Sequence, residues 1–158
     1  MSETIILGIA DGRVVKRGET LATYALGSCV GVCLYDGKNK IGGLAHIMLP
    51  SKDHSFSISN DYKFADAGIR NLLEEMRQAG ADRSSIIAKI FGGAEMFAVY
   101  GNMIPVGERN VTAVIDVLRS EKIRLHTCDT GSNYGRSIWF DTSTGVVKVK
   151  SSRGEIYM

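Results

Sequence analysis

Two residues in this chain have types and spacing suited to covalent chemistry. Cys29 lies in Thr23-Tyr24-Ala25-Leu26-Gly27-Ser28-Cys29-Val30, and His46 lies in Gly43-Leu44-Ala45-His46-Ile47-Met48-Leu49-Pro50. A thiol needs a base to become a thiolate near neutral pH, and a histidine within hydrogen-bond reach is the usual one. Local structure offers a way to bring the two together. Residues 29–34 read as a strand, 35–39 as a turn and 40–48 as the return strand, which sets His46 near the start of the first strand beside Cys29. The chemistry expected is that of a cysteine-nucleophile enzyme.

The surroundings of the pair support that expectation. A free cysteine is most often a small buried hydrophobe, but Gly27 and Ser28 keep side-chain bulk away from this thiol. A backbone turning between two extended runs can also aim N–H groups at a developing oxyanion. His46 is flanked by Leu44, Ala45, Ile47 and Met48, so its ring is expected to be partly buried, neutral and able to accept a proton. Thr23 stands six residues before Cys29 and carries a hydroxyl suited to orienting the ring through its second nitrogen. The Gly27-Ser28 turn leaves open which face Thr23 presents.

Other residues carry weaker signals. Cys33 shares a strand face with Cys29 and reads as core. His126 and Cys128, even with Cys29 and His46, lack the close spacing of a structural zinc site, so no metal is expected. The run Phe91-Gly92-Gly93-Ala94-Glu95-Met96-Phe97 matches neither phosphate-loop pattern. Gly92 and Gly93 instead suggest close approach of a neighbouring strand or a substrate, with Met96 and Phe97 as core or contact surface. Arg109 and Asn110 sit at a helix start, where capping and solvation explain them; a binding role is the alternative.

The elements that must position these residues follow from periodicity and punctuation. Residues 4–9 form a strand candidate ending at Asp11-Gly12, with 13–16 as its hairpin partner. Residues 21–26 form another, leading into the Cys29 strand. Residues 51–60 read as a loop. Asn60 caps a helix with Asp61 in its first turn, and Ala65, Ile69, Leu72, Leu73 and Met76 recur at helical spacing before Gly80. Residues 86–91 are a buried strand, 108–120 a second helix, and 123–128 a strand. Residues 129–135 form a loop, and 136–141 with 146–150 a final hairpin. This order predicts a single-domain layered α/β (α+β) fold with a mixed sheet.

Composition bounds the remaining possibilities. The 158 residues suit one domain, 1–158, and 44% hydrophobic with 23% charged residues is ordinary for a globular protein. A net charge of +2 gives no reason to expect nucleic acid as a partner. No apolar run approaches the length of a membrane span, and the N-terminus lacks the basic region of a secretory signal. A cytoplasmic location with reduced thiols is expected.

Five motifs in order resemble one family: Leu26-Gly27-Ser28-Cys29-Val30, Ala45-His46-Ile47-Met48-Leu49-Pro50, Ile90-Phe91-Gly92-Gly93-Ala94, Gly107-Glu108-Arg109-Asn110 and Asp129-Thr130-Gly131. Together they look like CheD, the chemoreceptor glutamine deamidases of bacterial and archaeal chemotaxis. The resemblance implies a three-layer α/β sandwich shared with glutamine-deamidating toxins. It implies a catalytic set at Cys29, His46 and Thr23, with no cofactor. It implies deamidation of glutamines on the cytoplasmic helices of methyl-accepting receptors, and binding to the phosphatase CheC. Some members are also credited with methylesterase activity. The chain departs from the family at Ala25, where many members carry glycine, and at Ser132, where a second glycine is frequent. A cysteine amidohydrolase or peptidase on another substrate, or a binding module that regulates CheC without catalysis, are the competing readings.

Overall fold

The computed structural model describes residues 3–52, 60–96, 101 and 103–158 of the chain. Among these, ten strands form two five-stranded mixed sheets, and two α-helices cover one of them. The first sheet contains β1 (Thr4–Leu7), β3 (Thr20–Leu26), β8 (Arg136–Asp141), β9 (Val147–Ser151) and β10 (Gly154–Tyr157), in the order β1-β3-β8-β9-β10. The second contains β2 (Gly12–Val15), β4 (Val30–Asp36), β5 (Ile41–Ile47), β6 (Ile86–Gly92) and β7 (Arg124–Thr130), in the order β2-β5-β4-β6-β7. The β1–β3 and β6–β7 pairs are parallel and the rest antiparallel.

Side-chain alternation turns these sheets into three layers. Val32, Leu34, Ala45, Ile47, Ala88 and Ile90 project from the second sheet onto α1 (Ala65–Gln78) and α2 (Val106–Ser120). Cys33, Tyr35, Leu44 and Phe91 project from the same strands the opposite way, against Leu21, Leu26, Ile138 and Phe140 of the first sheet. Strands β4, β5 and β6 are therefore covered on both faces, which is why their sequences are almost continuously apolar. The three-layer architecture expected from the family resemblance is present.

The central hairpin forms with the expected register: Val30 faces Ile47 and Gly31 faces His46. Other local expectations are corrected. Residues 13–16 do not form a hairpin with the first strand. Instead β2 pairs with β5 in the second sheet, and β1 lies parallel to β3 in the first. The chain crosses between layers at Ala10, which has a positive φ of 60°. There His46 holds both Ala10 and Asp11 through its backbone, at 3.1 and 2.9 Å. An Asp-Gly turn signal marks the bend but is blind to the distant strand that captures the chain.

Asn60 caps a short 3-10 turn, Asp61–Lys63, through a 3.0 Å bond from the Tyr62 N–H, whereas α1 begins at Ala65. The second helix starts at Val106, two residues before the expected Glu108. Strand β7 runs on through Thr130 into the expected loop, and β10 is an additional edge strand. Of the expected loop 51–60, residues 53–59 lie outside the described residues.

Candidate active site

Thr23 and His46 come from two different strands and meet where the two sheets face each other, and Cys29 stands at the end of a third strand packed against the same core. Thr23 points inward from β3 with Leu21, and His46 points inward from β5 with Leu44, so the two meet across the sandwich. Thr23 Oγ1 lies 2.7 Å from His46 Nδ1. The same hydroxyl donates to the Leu7 carbonyl at 2.9 Å. A hydroxyl has one proton, and here Leu7 receives it. His46 Nδ1 must therefore carry the hydrogen and donate to Thr23, which leaves Nε2 as the bare lone pair of the neutral ring.

Burial reinforces the neutral state. His46 is 1% exposed, more deeply buried than its apolar neighbours alone suggested. Loss of hydration pushes its pKa down to about 4, against a smaller upward pull from Asp11. Nε2 is buried and has no hydrogen-bond partner among the described residues.

Cys29 stands one residue before β4, partly exposed and packed against the core between the sheets. It falls on the same face as Gly31, the residue directly opposite His46, so thiol and ring are diagonal neighbours. Burial raises the Cys29 pKa. Burial thus favours the neutral form of both the Cys29 thiol and the His46 imidazole. Cys33 is buried in the core between the sheets, and Cys128 is the exposed thiol on the edge strand β7.

The turn carrying Cys29 is held from behind at three consecutive carbonyls. Gly27 O accepts from Ala94 N–H at 2.8 Å, Ser28 O from Asn110 Nδ2 at 2.9 Å, and Cys29 O from Gly93 N–H at 2.8 Å. The Gly27 N–H folds back onto Ala25 O at 3.0 Å and so is not available to an oxyanion. The N–H groups of Ser28 and Cys29 donate to no carbonyl among the described residues.

A cleft of about 420 Å³ opens over this turn. Ala25, Gly27, Ser28, Cys29, Ala94, Glu95, Met96, Pro105, Val106 and Gly107 line it. Its lining is mostly apolar, with Met96 and Val106 exposed, and the exposed Met103 and Ile104 precede Pro105 in sequence. Met96, expected as core or contact surface, is exposed and packs over Gly27, where a Cβ would lie 3.1 Å from its Cγ. Phe97 lies outside the described residues.

Of the two close approaches expected at Gly92 and Gly93, by a neighbouring strand or by a substrate, the structure shows approach by the protein's own chain. Both have positive φ, at 106° and 64°, and both are buried. A Cβ on Gly92 would run into the Cys29 carbonyl, and one on Gly93 into Val111 of α2. Their close approach is to the protein's own backbone and helix. Arg109 is exposed on α2 and does not line the cleft. Asn110 is fully buried and faces inward, bonding Ser28 O and Met48 O at 2.9 and 3.0 Å.

One supporting residue escaped sequence reasoning. Arg136 is 1% exposed and grips Asp129 with Nε and Nη2 at 3.1 and 3.3 Å, while Nη1 bonds Gly131 O at 2.9 Å. The loop it braces in turn holds Gly92 and Glu95 through backbone bonds of 2.9 Å. The signal was present, since Arg136 alternates in register with the buried Ile138 and Phe140. No group of three or more metal-ligating side chains converges among the described residues. No helix among them is long and apolar enough to cross a membrane.

The architecture is a two-sheet sandwich with a helical layer, in which a buried threonine–histidine pair lies between the sheets and a partly exposed cysteine lines a cleft. A solved structure from Neisseria meningitidis, protein NMB0706 of the DUF152 family, shares this fold with a TM-score of 0.52 at 11% identity. The alignment covers 84% of this chain and 64% of that one. A family model described as CheD chemotactic sensory transduction matches residues 48–151. A protein of Syntrophomonas wolfei is 46% identical over 96% of this chain and 95% of its own length. One of Archaeoglobus fulgidus is 42% identical over 98% and 97%, and one of Caldanaerobacter subterraneus is 44% identical over 95% and 94%. All three carry the name probable chemoreceptor glutamine deamidase CheD. The chain belongs to the CheD family.

Proposed function

We propose that this protein hydrolyses glutamine side-chain amides to glutamate on the cytoplasmic helices of methyl-accepting chemotaxis receptors, using Cys29, His46 and Thr23. The observation that carries the reading is the hydrogen-bond chain from His46 Nδ1 through Thr23 to Leu7 O, which leaves Nε2 as a bare lone pair on the strand that pairs with the Cys29 end of β4. The names of relatives aligned over nearly the whole chain support the substrate.

The reaction begins from the neutral pair. His46 Nε2 takes the Cys29 proton as sulfur attacks the carboxamide carbon, so charge separation develops only with bond formation. Backbone N–H groups at Ser28 and Cys29 receive the oxyanion. The imidazolium returns its proton to the departing nitrogen, and ammonia leaves a thioester on Cys29. Water, deprotonated by Nε2, then attacks the thioester to give glutamate and the free thiol. Throughout, the Thr23 acceptor holds Nδ1–H and stabilises the transient imidazolium. The product replaces a neutral amide with a carboxylate on a helix bundle, which changes local repulsion and can bias a signalling state.

The open cleft and its mostly apolar lining suit a glutamine projecting from a helix, with the helix's apolar face resting on Met96 and Val106. CheC is the proposed regulatory partner at the same mouth. The test is mass spectrometry of a receptor cytoplasmic fragment incubated with the protein. Deamidation adds about one dalton per site, since OH replaces NH₂. CheC is expected to slow this conversion, and excess fragment to restore it. An unchanged fragment mass with folded protein rejects the deamidase reading, and inhibition that no fragment concentration relieves rejects the shared mouth.

A further inference from the structure

Asn110 contributes nothing to the outer surface, yet it joins the two chain segments that carry the reactive groups. Its Nδ2 bonds Ser28 O, one residue before Cys29, and Met48 O, two residues after His46. In the β4–β5 register Met48 follows Ile47, the partner of Val30, so it stands across from Cys29. Helix α2 presents this amide from close range because Gly107 packs on the Gly93 and Ala94 carbonyls, where a Cβ would come within 2.6 Å of Gly93 O.

The Ser28 carbonyl and the Cys29 N–H belong to one peptide unit. That unit is planar and trans, so its N–H points opposite to its C=O. Fixing Ser28 O toward Asn110 therefore fixes the direction of the Cys29 N–H, which donates to no carbonyl among the described residues. The neighbouring unit is set the same way, by Ala94 N–H on Gly27 O, but with a backbone donor. We infer that Asn110 is a positioning residue that aims the Cys29 N–H at the oxyanion formed during acyl transfer, a role that rests on the deamidase reading for its substrate but not for its geometry. Asn110 touches no reacting atom. It acts through the peptide plane, so its effect falls on the oxyanion, while the relation of the Cys29 and His46 segments is kept by the β4–β5 ladder that runs from Val30–Ile47 to Asp36–Ile41.

That division supplies the test. Alkylation by iodoacetamide needs the sulfur nucleophile but forms no oxyanion, whereas acyl transfer needs both. Asn110→Ala and Asn110→Ser are prepared in a Cys128→Ser background, with folding checked by thermal melting. Acyl transfer is read as ammonia release from a receptor fragment and as the p-nitrophenolate burst from p-nitrophenyl acetate. Acyl transfer is expected to fall about 100-fold, the scale of losing one oxyanion donor. Alkylation of Cys29 should stay within about twofold, because the base is untouched. Equal loss in both reactions overturns the inference, as does unchanged acyl transfer. A wild-type protein that gives the ester burst but no ammonia defeats the deamidase reading, while the Asn110 comparison is still read on the ester. Amide hydrogen exchange of the wild-type protein gives a reading independent of the variants. The Cys29 amide should gain protection when a peptide aldehyde forms a hemithioacetal on Cys29, and no gain in protection overturns the assignment.

Discussion

His46 Nδ1 and Thr23 Oγ1, 2.7 Å apart, form a hydrogen bond that spans the two sheets of the sandwich. It links β5 of one layer to β3 of the other, and β1 completes the chain by accepting the Thr23 proton on Leu7 O at 2.9 Å. The imidazole tautomer is thereby set by the packing of two layers, not by any residue on the histidine's own strand. The same packing buries the ring, and the resulting loss of hydration keeps it neutral.

Thr23→Val preserves shape and removes this link. The ring loses its acceptor and the Leu7 carbonyl loses its donor. Deamidation is expected to fall about 10- to 100-fold, less than the roughly 100- to 10,000-fold contributed by a group that itself transfers the proton, because Thr23 only orients that group. Stability is expected to fall by about 1–3 kcal/mol for buried polar groups left unpaired. Thr23→Ser, which keeps the hydroxyl, should retain most of both. Ammonia release and thermal melting measure the two effects; a fully active Thr23→Val protein would show that the hydroxyl does not orient the base.

Cys29→Ala is expected to abolish deamidation and leave the fold intact, because the thiol is partly exposed at a turn. His46→Ala should be nearly as damaging, and the double variant no worse than either single one, since members of a catalytic set act as a unit. Circular dichroism and the receptor-fragment mass read fold and activity separately. Additive losses in the double variant would argue for independent roles.

The pH dependence follows from His46, whose pKa drops from 6.5 to about 4 on folding. Between those values the unfolded chain binds a proton at this site and the folded chain does not. Stability is therefore full above the unfolded pKa and declines as pH falls through the window. The loss amounts to about 3 kcal/mol by the time pH reaches the folded value. Urea unfolding of wild type and His46→Ala across this range isolates the contribution, as the variant should lack it. The acid limb of kcat/KM should likewise lie near 4, not near the ordinary histidine range. An acid limb near 6.5 would mean that the ring is hydrated in solution.

The two departures from the family pattern fall on strained backbone. Ala25 has φ 57° and Ser132 has φ 61°, both in the left-handed region that glycine adopts without a Cβ penalty. Ala25→Gly and Ser132→Gly should each stabilise the protein. The relieved strain of about 1–2 kcal/mol exceeds the extra chain entropy that glycine loses, about 0.5–1 kcal/mol. The difference is read as a shift of the urea midpoint at constant slope. Destabilisation by both substitutions would contradict this account of the departures.

The strands that carry the candidate site residues were legible in the sequence because they are local. The Cys29–His46 hairpin is encoded by two apolar runs around the turn at residues 35–39, and period-2 alternation places His46 with Leu44 on one face. The helical spacing of Ala65, Ile69, Leu72, Leu73 and Met76 likewise needs only one segment to be read. What only the tertiary structure decided depends on partners far apart in sequence. The capture of β2 by β5 in place of β1 is set by which sheet edge is free, which no turn signal encodes. The face of Thr23 depended on a register shift between Thr23 and Leu26. Its hydrogen bonding depended further on Leu7, whose carbonyl carries no side-chain signature at all. Asn110 had the residue type of a helix-start surface polar group, yet two carbonyls from other segments turned it inward. Periodicity reports which face a residue occupies, while hydrogen-bond partners are assigned only when the layers pack.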